Sequence, residues 1–225
     1  MTNTESTVAE PDSPLWGHSE LTRERLIDAA VQLVEEEGLE ALTLRRLGAR
    51  CGVSAMTPYR HIKTKEELLG ALADRYLSEL SLADPTESTW DEYLRNLFRA
   101  VLAILKRYPA LATIVGKQHV NGLAGFRAGE AVLAVLDDAG LPPDVAIAGF
   151  ASLTAFTVGF AMQEMPSPAR EAQFAERRAT VNELPVHQFP HVRAHSDAFV
   201  NRASDRNFEI GLELMISGLR AAARA

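Results

Sequence analysis

Between Thr43 and His61 the chain reads TLRRLGARCGVSAMTPYRH, and no other stretch restricts the possible folds so tightly. Leu44 and Leu47 share one face of a short predicted helix, while Arg45, Arg46 and Arg50 occupy its other positions. Cys51-Gly52-Val53 then turns the chain, and the glycine is expected to let two helices approach without a side-chain clash. A second helix is predicted from Ser54, whose hydroxyl can cap it, to about His61. Two short helices around so tight a turn form a helix-turn-helix, whose second helix lies in a DNA major groove. Pro58 lacks an amide and crowds the turn before it, so the start of that helix is expected to be irregular.

Charge points the same way. The chain carries a net −7, which argues against a nucleic-acid partner until its distribution is considered. Residues 41–65 hold Arg45, Arg46, Arg50, Arg60, Lys63 and Lys65 and no acid, so +6 sits there and −13 elsewhere. Residues 1–40 contain ten acids against Arg23 and Arg25. A basic island in an acidic chain confines phosphate contact to one face. Within it, Ala55 and Thr57 suit a thymine methyl, Tyr59, His61 and Lys65 suit phosphate, and the Arg45 fork suits a guanine edge.

Elsewhere apolar residues recur at helical spacing and no strand pattern appears, so the fold class is all-α. Leu26, Ile27, Ala30, Leu33 and Val34 mark a helix over 22–37, capped by Thr22 and ended by Gly38. Thr43 is the expected cap of the next helix. Thr64 with Glu67, and Thr89 with Glu92, are spaced as capping boxes. The first opens a helix expected to reach Ala83-Asp84-Pro85, and the second a helix ending at Tyr108-Pro109. Further helices are predicted near 110–116, 126–139, 143–164, 169–181, 190–200 and 205–223. The 143–164 segment is apolar nearly all round and is expected to be buried on most sides.

Residues 1–18 are read as a disordered arm, with docking of its Trp16 onto the body as the less favoured alternative. Residues 19–64 form a helix-turn-helix domain of three helices, and 65–225 a C-terminal helical domain. No run is taken as apolar enough to span a membrane, and the N-terminus lacks a signal peptide's basic start and apolar middle. With Cys51 alone no intrachain disulfide can form, which fits a cytoplasmic setting.

Residues 21–72, LTRERLIDAAVQLVEEEGLEALTLRRLGARCGVSAMTPYRHIKTKEELLGAL, closely resemble the N-terminal region of tetracycline-repressor-like (TetR family) regulators. The segments WDEYLRNLFRAVLAILKRYP, GEAVLAVLDDAGLPPD and FEIGLELMISGL resemble the C-terminal domain of the subgroup that includes the tetracycline repressor. The resemblance implies an all-helical homodimer that represses transcription and leaves a double-stranded, pseudo-palindromic operator when a small-molecule effector binds. It assigns DNA contact to Thr43, Arg45, Ala55, Met56, Thr57, Tyr59, His61 and Lys65. It puts the dimer bundle on the helices near 143–164 and 205–223, with Phe208, Leu212, Met215, Ile216 and Leu219 as the interface stripe.

The sequence departs from the family's namesake at the positions that hold magnesium–tetracycline, which here are Ser81, Leu97, Ile114 and Gln163. A hard cation wants oxygen ligands, and Leu97 and Ile114 offer none. A more apolar pocket follows, lined by Leu97, Val101, Ile114, Phe150, Thr154 and Gln163, against the plainer reading that these fill a core. No cofactor or membrane partner is expected.

His187, His191 and His195 recur every four residues, as metal ligands on a helix would, but Pro190 interrupts them and surface histidines are the plainer reading. His119, beside Gln118 and Asn121, suits a solvated loop, and Cys51 a small buried core position. No phosphate loop, spaced metal cluster or GxSxG elbow is present, so catalysis is not expected. The alternatives are a dimeric helical interaction module and an enzyme acting on a small hydrophobic substrate.

Overall fold

A computed structural model describes residues 21–117, 122–165, 169–201 and 203–224. The N-terminal arm, Trp16, Gln118, His119 and Asn121 lie outside them. Among the described residues there are eleven α-helices and no strand. The chain divides into two compact units, Met1–Leu72 and Ala73–Ala225.

The first unit contains α1 (Arg23–Glu37), α2 (Leu44–Arg50) and the start of α3 (Lys65–Leu77). Thr22 caps α1 by accepting the Arg25 amide, and Gly38 ends it at φ +84, which glycine adopts without strain. Leu26, Ala30, Leu33, Leu42, Leu47, Ile62, Leu68 and Leu72 are almost wholly buried and make its core.

The second unit is built on α7 (Pro143–Glu164). Against it pack α4 (Trp90–Arg107), α5 (Pro109–Lys117), α6 (Leu123–Asp138) and α11 (Asp205–Ala222). Phe156 stacks on Phe208 at 5.4 Å between centroids, with Phe160 edge-on to Phe208 at 5.2 Å. Gly211 makes room for this, since a Cβ there would lie 2.5 Å from Phe156 Cζ. Burying a side chain such as Leu212 contributes about 2 kcal/mol. Ion pairs strap α4 to α11: Arg95 to Glu213, Arg99 to Glu209, Lys106 to Asp205 and Arg220 to Asp91. A satellite of α8 (Arg170–Glu183), α9 (Pro190–Ala194) and α10 (Ser196–Val200) packs largely on itself.

Several expectations need correcting. The helix from Lys65 ends at Leu77, not near Asp84. Ser78 Oγ donates to the Arg75 carbonyl at 2.6 Å, taking the acceptor a continuing helix would use, and the Glu79 amide turns to Tyr76. At the start of α3, Thr64 accepts the Glu67 amide, but the Glu67 carboxylate reaches the Lys63 amide one residue before the expected partner. The segment near 190–200 splits at His195 into α9 and α10.

Helix α7 is long and apolar enough, by length and composition, to cross a membrane, which the sequence reading overlooked. Nor is it buried on most sides. Its neighbours cover one face, while Ile147, Ala148, Ala151, Ser152, Ala155 and Met162 stay exposed.

Candidate nucleic-acid interface

The reader begins at α2. Thr43 Oγ1 accepts the Arg46 amide at 3.2 Å and caps the helix, while Leu44 and Leu47 anchor its inner face. The next feature is Gly48. A Cβ at this position would lie 3.2 Å from the Ser54 carbonyl oxygen and 3.3 Å from Pro58 Cγ. Gly48 is therefore a point of close approach between the two halves of the motif. Gly52 serves the turn itself, at φ +68. Cys51 is buried beside it, and burial pushes its thiol pKa up against the opposing pull of Arg50. A thiol shifted that way is a packing residue.

The second half is not the regular α-helix expected from Ser54. It is a chain of tight turns with one 3₁₀ turn at Pro58–Arg60. Proline has no amide to offer the Ser54 carbonyl, so the Thr57 amide takes it instead at 2.9 Å. The Arg60 and His61 amides follow the same shorter spacing, to Thr57 and Pro58. Ser54 Oγ meets Thr57 Oγ1 at 3.0 Å rather than capping a backbone amide. Buried Pro58 and Ile62 pin this segment to the core.

The pinning turns the named residues outward. Thr43, Arg45, Ala55 and Lys65 are exposed, Met56 is 70% and Tyr59 46% exposed, and Thr57 and His61 are half-buried. Large apolar groups held in water on a basic surface are suited to base edges and sugars.

The island's cations divide into two groups. Arg46 pairs with Glu37, and Arg50 with Glu36 at 2.6 Å, both acids coming from the end of α1. Among the described residues, Arg45, Arg60, Lys63 and Lys65 make no ion pair, and all four are exposed. Arg60 and Lys63 were not singled out as contacts from sequence, although the acid-free window contained the signal. Gly48 was missed because a glycine inside a helix carries no sign of what lies opposite.

In the second unit Leu97, on α4, and Ile114, on α5, are buried. Val101 is half-buried on α4, and Phe150 and Thr154 are half-buried on α7, where Phe150 faces Gly129 of α6; Gln163 is exposed. A separate groove of about 300 Å³ runs between α7 and α11, lined by Val145, Ala148, Gly149, Ser152, Leu153, Met215, Gly218 and Leu219. Of the stripe expected at a dimer interface, Phe208, Leu212, Ile216 and Leu219 are buried in the chain's own core, because that face of α11 packs on α7 and α4. The outward apolar residues of α11 are Ile210 and Leu214. His187, His191 and His195 lie before α9, on it and between α9 and α10, and no three metal-ligating side chains converge among the described residues.

A capped helix and a glycine-packed turn, with exposed apolar side chains and unpaired cations, define a helix-turn-helix DNA-binding protein whose second unit is a helical bundle. Residues 26–72 match the profile of bacterial regulatory proteins of the tetR family, and residues 82–223 that of the tetracyclin repressor-like C-terminal domain. The chain is 31% identical over 196 residues to tetracycline repressor protein class A from transposon 1721 of Escherichia coli, covering 86% of this chain and 88% of that one. It is similar in structure to apo ActR from Streptomyces coelicolor, with a TM-score of 0.84 and 26% identity over 92% of this chain and 98% of that one. ActR in complex with actinorhodin aligns with a TM-score of 0.82 and 26% identity, over 89% and 96% of the two chains. The chain belongs to the TetR family: it is a transcription regulator with a DNA-binding domain and a ligand-binding domain, and not an enzyme.

Proposed function

We propose that the protein is a ligand-responsive repressor. It binds a pseudo-palindromic operator as a homodimer and leaves when a small molecule other than magnesium–tetracycline enters its C-terminal domain. The observation that carries this reading is the set of four exposed cations, Arg45, Arg60, Lys63 and Lys65, that make no ion pair among the described residues and surround exposed Met56 and Tyr59. Thr43, Ala55, Thr57 and His61 complete the contact surface. Residues 19–64 act as the reader and 65–225 as the body, with α3 joining them, and the protein works where the DNA is, in the cytoplasm.

The homodimer reading is supported by the uncovered face of α7 with Ile210 and Leu214 of α11, an apolar surface with a groove between two helices. A self-complementary face of this kind is what a twofold dimer requires. Two readers would then lie about 34–36 Å apart, one turn of DNA.

The effector reading is supported by ActR, whose structure has been determined with actinorhodin. Buried Leu97 and Ile114 cannot ligate magnesium, which favours an effector held by apolar contact. Release works only if that effector prefers the non-binding state.

Mobility shift on DNA flanking the protein's own gene, at two salt concentrations, tests the reading. A specific, salt-dependent shift is expected, and loss of all specific binding at every flanking segment would count against repression of its own locus. Thermal-shift screening then searches for the effector.

A further inference from the structure

Helix α6 begins without a cap of its own. Its N-cap position is Gly122, which has no side chain to take the free amides of the first turn. The acceptor comes from another helix: Asp74 Oδ1, on α3, accepts the Ala124 amide at 2.6 Å. Gly122 permits the approach, because a Cβ there would lie 2.6 Å from Asp74 Cγ and 2.7 Å from Asp74 Cβ, closer than real atoms come. Absence of a side chain at one position and a carboxylate on another helix together make one joint. A carboxylate also suits the positive end of a helix dipole.

The same end of α3 is held a second way. Tyr76 stacks on Tyr108, centroids 4.3 Å apart, and the Tyr108 hydroxyl donates to Glu79 at 2.9 Å. That hold is a buried aromatic pair and breaks only by unpacking. The Asp74 cap is a single charge-assisted hydrogen bond on a half-buried side chain, and it can open and close without disturbing a core. Its far side is α6, which packs on α7, where Phe150 lies against Gly129. Its near side is α3, one unbroken helix that starts in the DNA-reading unit at Lys65.

We infer that Asp74 is a positioning residue. Through its cap on α6 the ligand-binding body holds α3, and the strength of that hold sets the affinity for the operator. The inference rests on the reading that this protein binds operator DNA.

The test uses the full chain and the DNA duplex that the wild type selects from a random pool, with binding followed by fluorescence anisotropy. Asp74→Ala is expected to weaken binding by about fivefold or more. Hydrogen exchange at the Ala124 amide should rise by about tenfold in the same variant. Gly122→Ala, which leaves Asp74 in place but drives its carboxylate away, should do the same. Asp74→Asn keeps an acceptor oxygen and should restore most of the affinity.

Ser204→Ala is the control. It removes the α11 cap, where Ser204 accepts the Asn207 amide at 3.3 Å, and should lower the melting temperature while leaving operator binding unchanged. Unchanged or tighter binding by Asp74→Ala, with faster exchange at Ala124, would overturn the inference. So would equal weakening by Ser204→Ala, because the effect would then be general destabilisation. A wild type that selects no DNA would overturn the DNA-binding reading itself, and the inference with it.

Discussion

Lys65→Gln and Arg46→Gln look equivalent by sequence, since each removes one positive charge from the acid-free island. In the folded chain Arg46 pairs with Glu37, whereas Lys65 is exposed and has no ion-pair partner among the described residues. A phosphate contact releases counterions, so log K falls against log salt with a slope of about −0.9 per contact. Four unpaired cations per chain make eight in a dimer, and a slope near −7 if all meet phosphate. Lys65→Gln removes two per dimer and should flatten the slope by about 1.8. Arg46→Gln removes a charge already compensated by Glu37 and should change the slope by well under about 1. The assay is anisotropy on one operator duplex between about 50 and 200 mM salt, where the wild type should lose about four orders of magnitude in affinity. Equal flattening by both variants would refute the division of the island into paired and unpaired cations.

Three further outcomes are expected. Leu214→Glu, on the outward face of α11, should give a folded monomer by analytical ultracentrifugation, whereas Ile216→Ala, in the core, should cost about 2–5 kcal/mol of stability and leave the dimer intact. Asp91 is held down to about 2, chiefly by the Thr89 hydroxyl and then by Arg220 at 2.5 Å. A depressed carboxylate contributes stability above its unfolded pKa of about 3.9 and loses it as pH falls toward 2. Asp91→Asn should therefore cost about 1–2 kcal/mol at neutral pH, after discounting for solvent, and flatten the fall in stability between about pH 4 and 2, followed by urea titration. The Tyr93 hydroxyl is buried with no hydrogen-bond partner among the described residues, so Tyr93→Phe should raise the melting temperature, and a clear drop would show that the hydroxyl is satisfied in solution.

Much of the fold was legible because its signals are local. The caps at Thr22, Thr43 and Thr64 act within three residues of themselves, so the helix starts could be read directly. Helix ends were harder. Leu77 ends α3 because the Ser78 hydroxyl competes for a carbonyl, and nothing in the apolar spacing reports that competition. At the reader, Pro58 was recognised as a disturbance, but its effect reached further than one irregular turn: it shortened the spacing of the amide bonds through His61.

The sequence alone determined that the chain is helical and that a basic reader lies between Thr43 and Lys65. Composition, period and charge distribution depend only on order along the chain. Tertiary structure decided which charges and which faces remain free. Glu36 and Glu37 neutralise Arg50 and Arg46 because α1 and α2 pack side by side, leaving Arg45, Arg60, Lys63 and Lys65 without an ion pair among the described residues. Phe208, Leu212, Ile216 and Leu219 of the α11 stripe turned inward, Met215 was left half-buried at the α7–α11 groove, and Ile210 and Leu214 were left outside. An amphipathic helix states that it has an apolar face, but not whether that face meets its own chain or another, because burial is a property of neighbours brought together by folding.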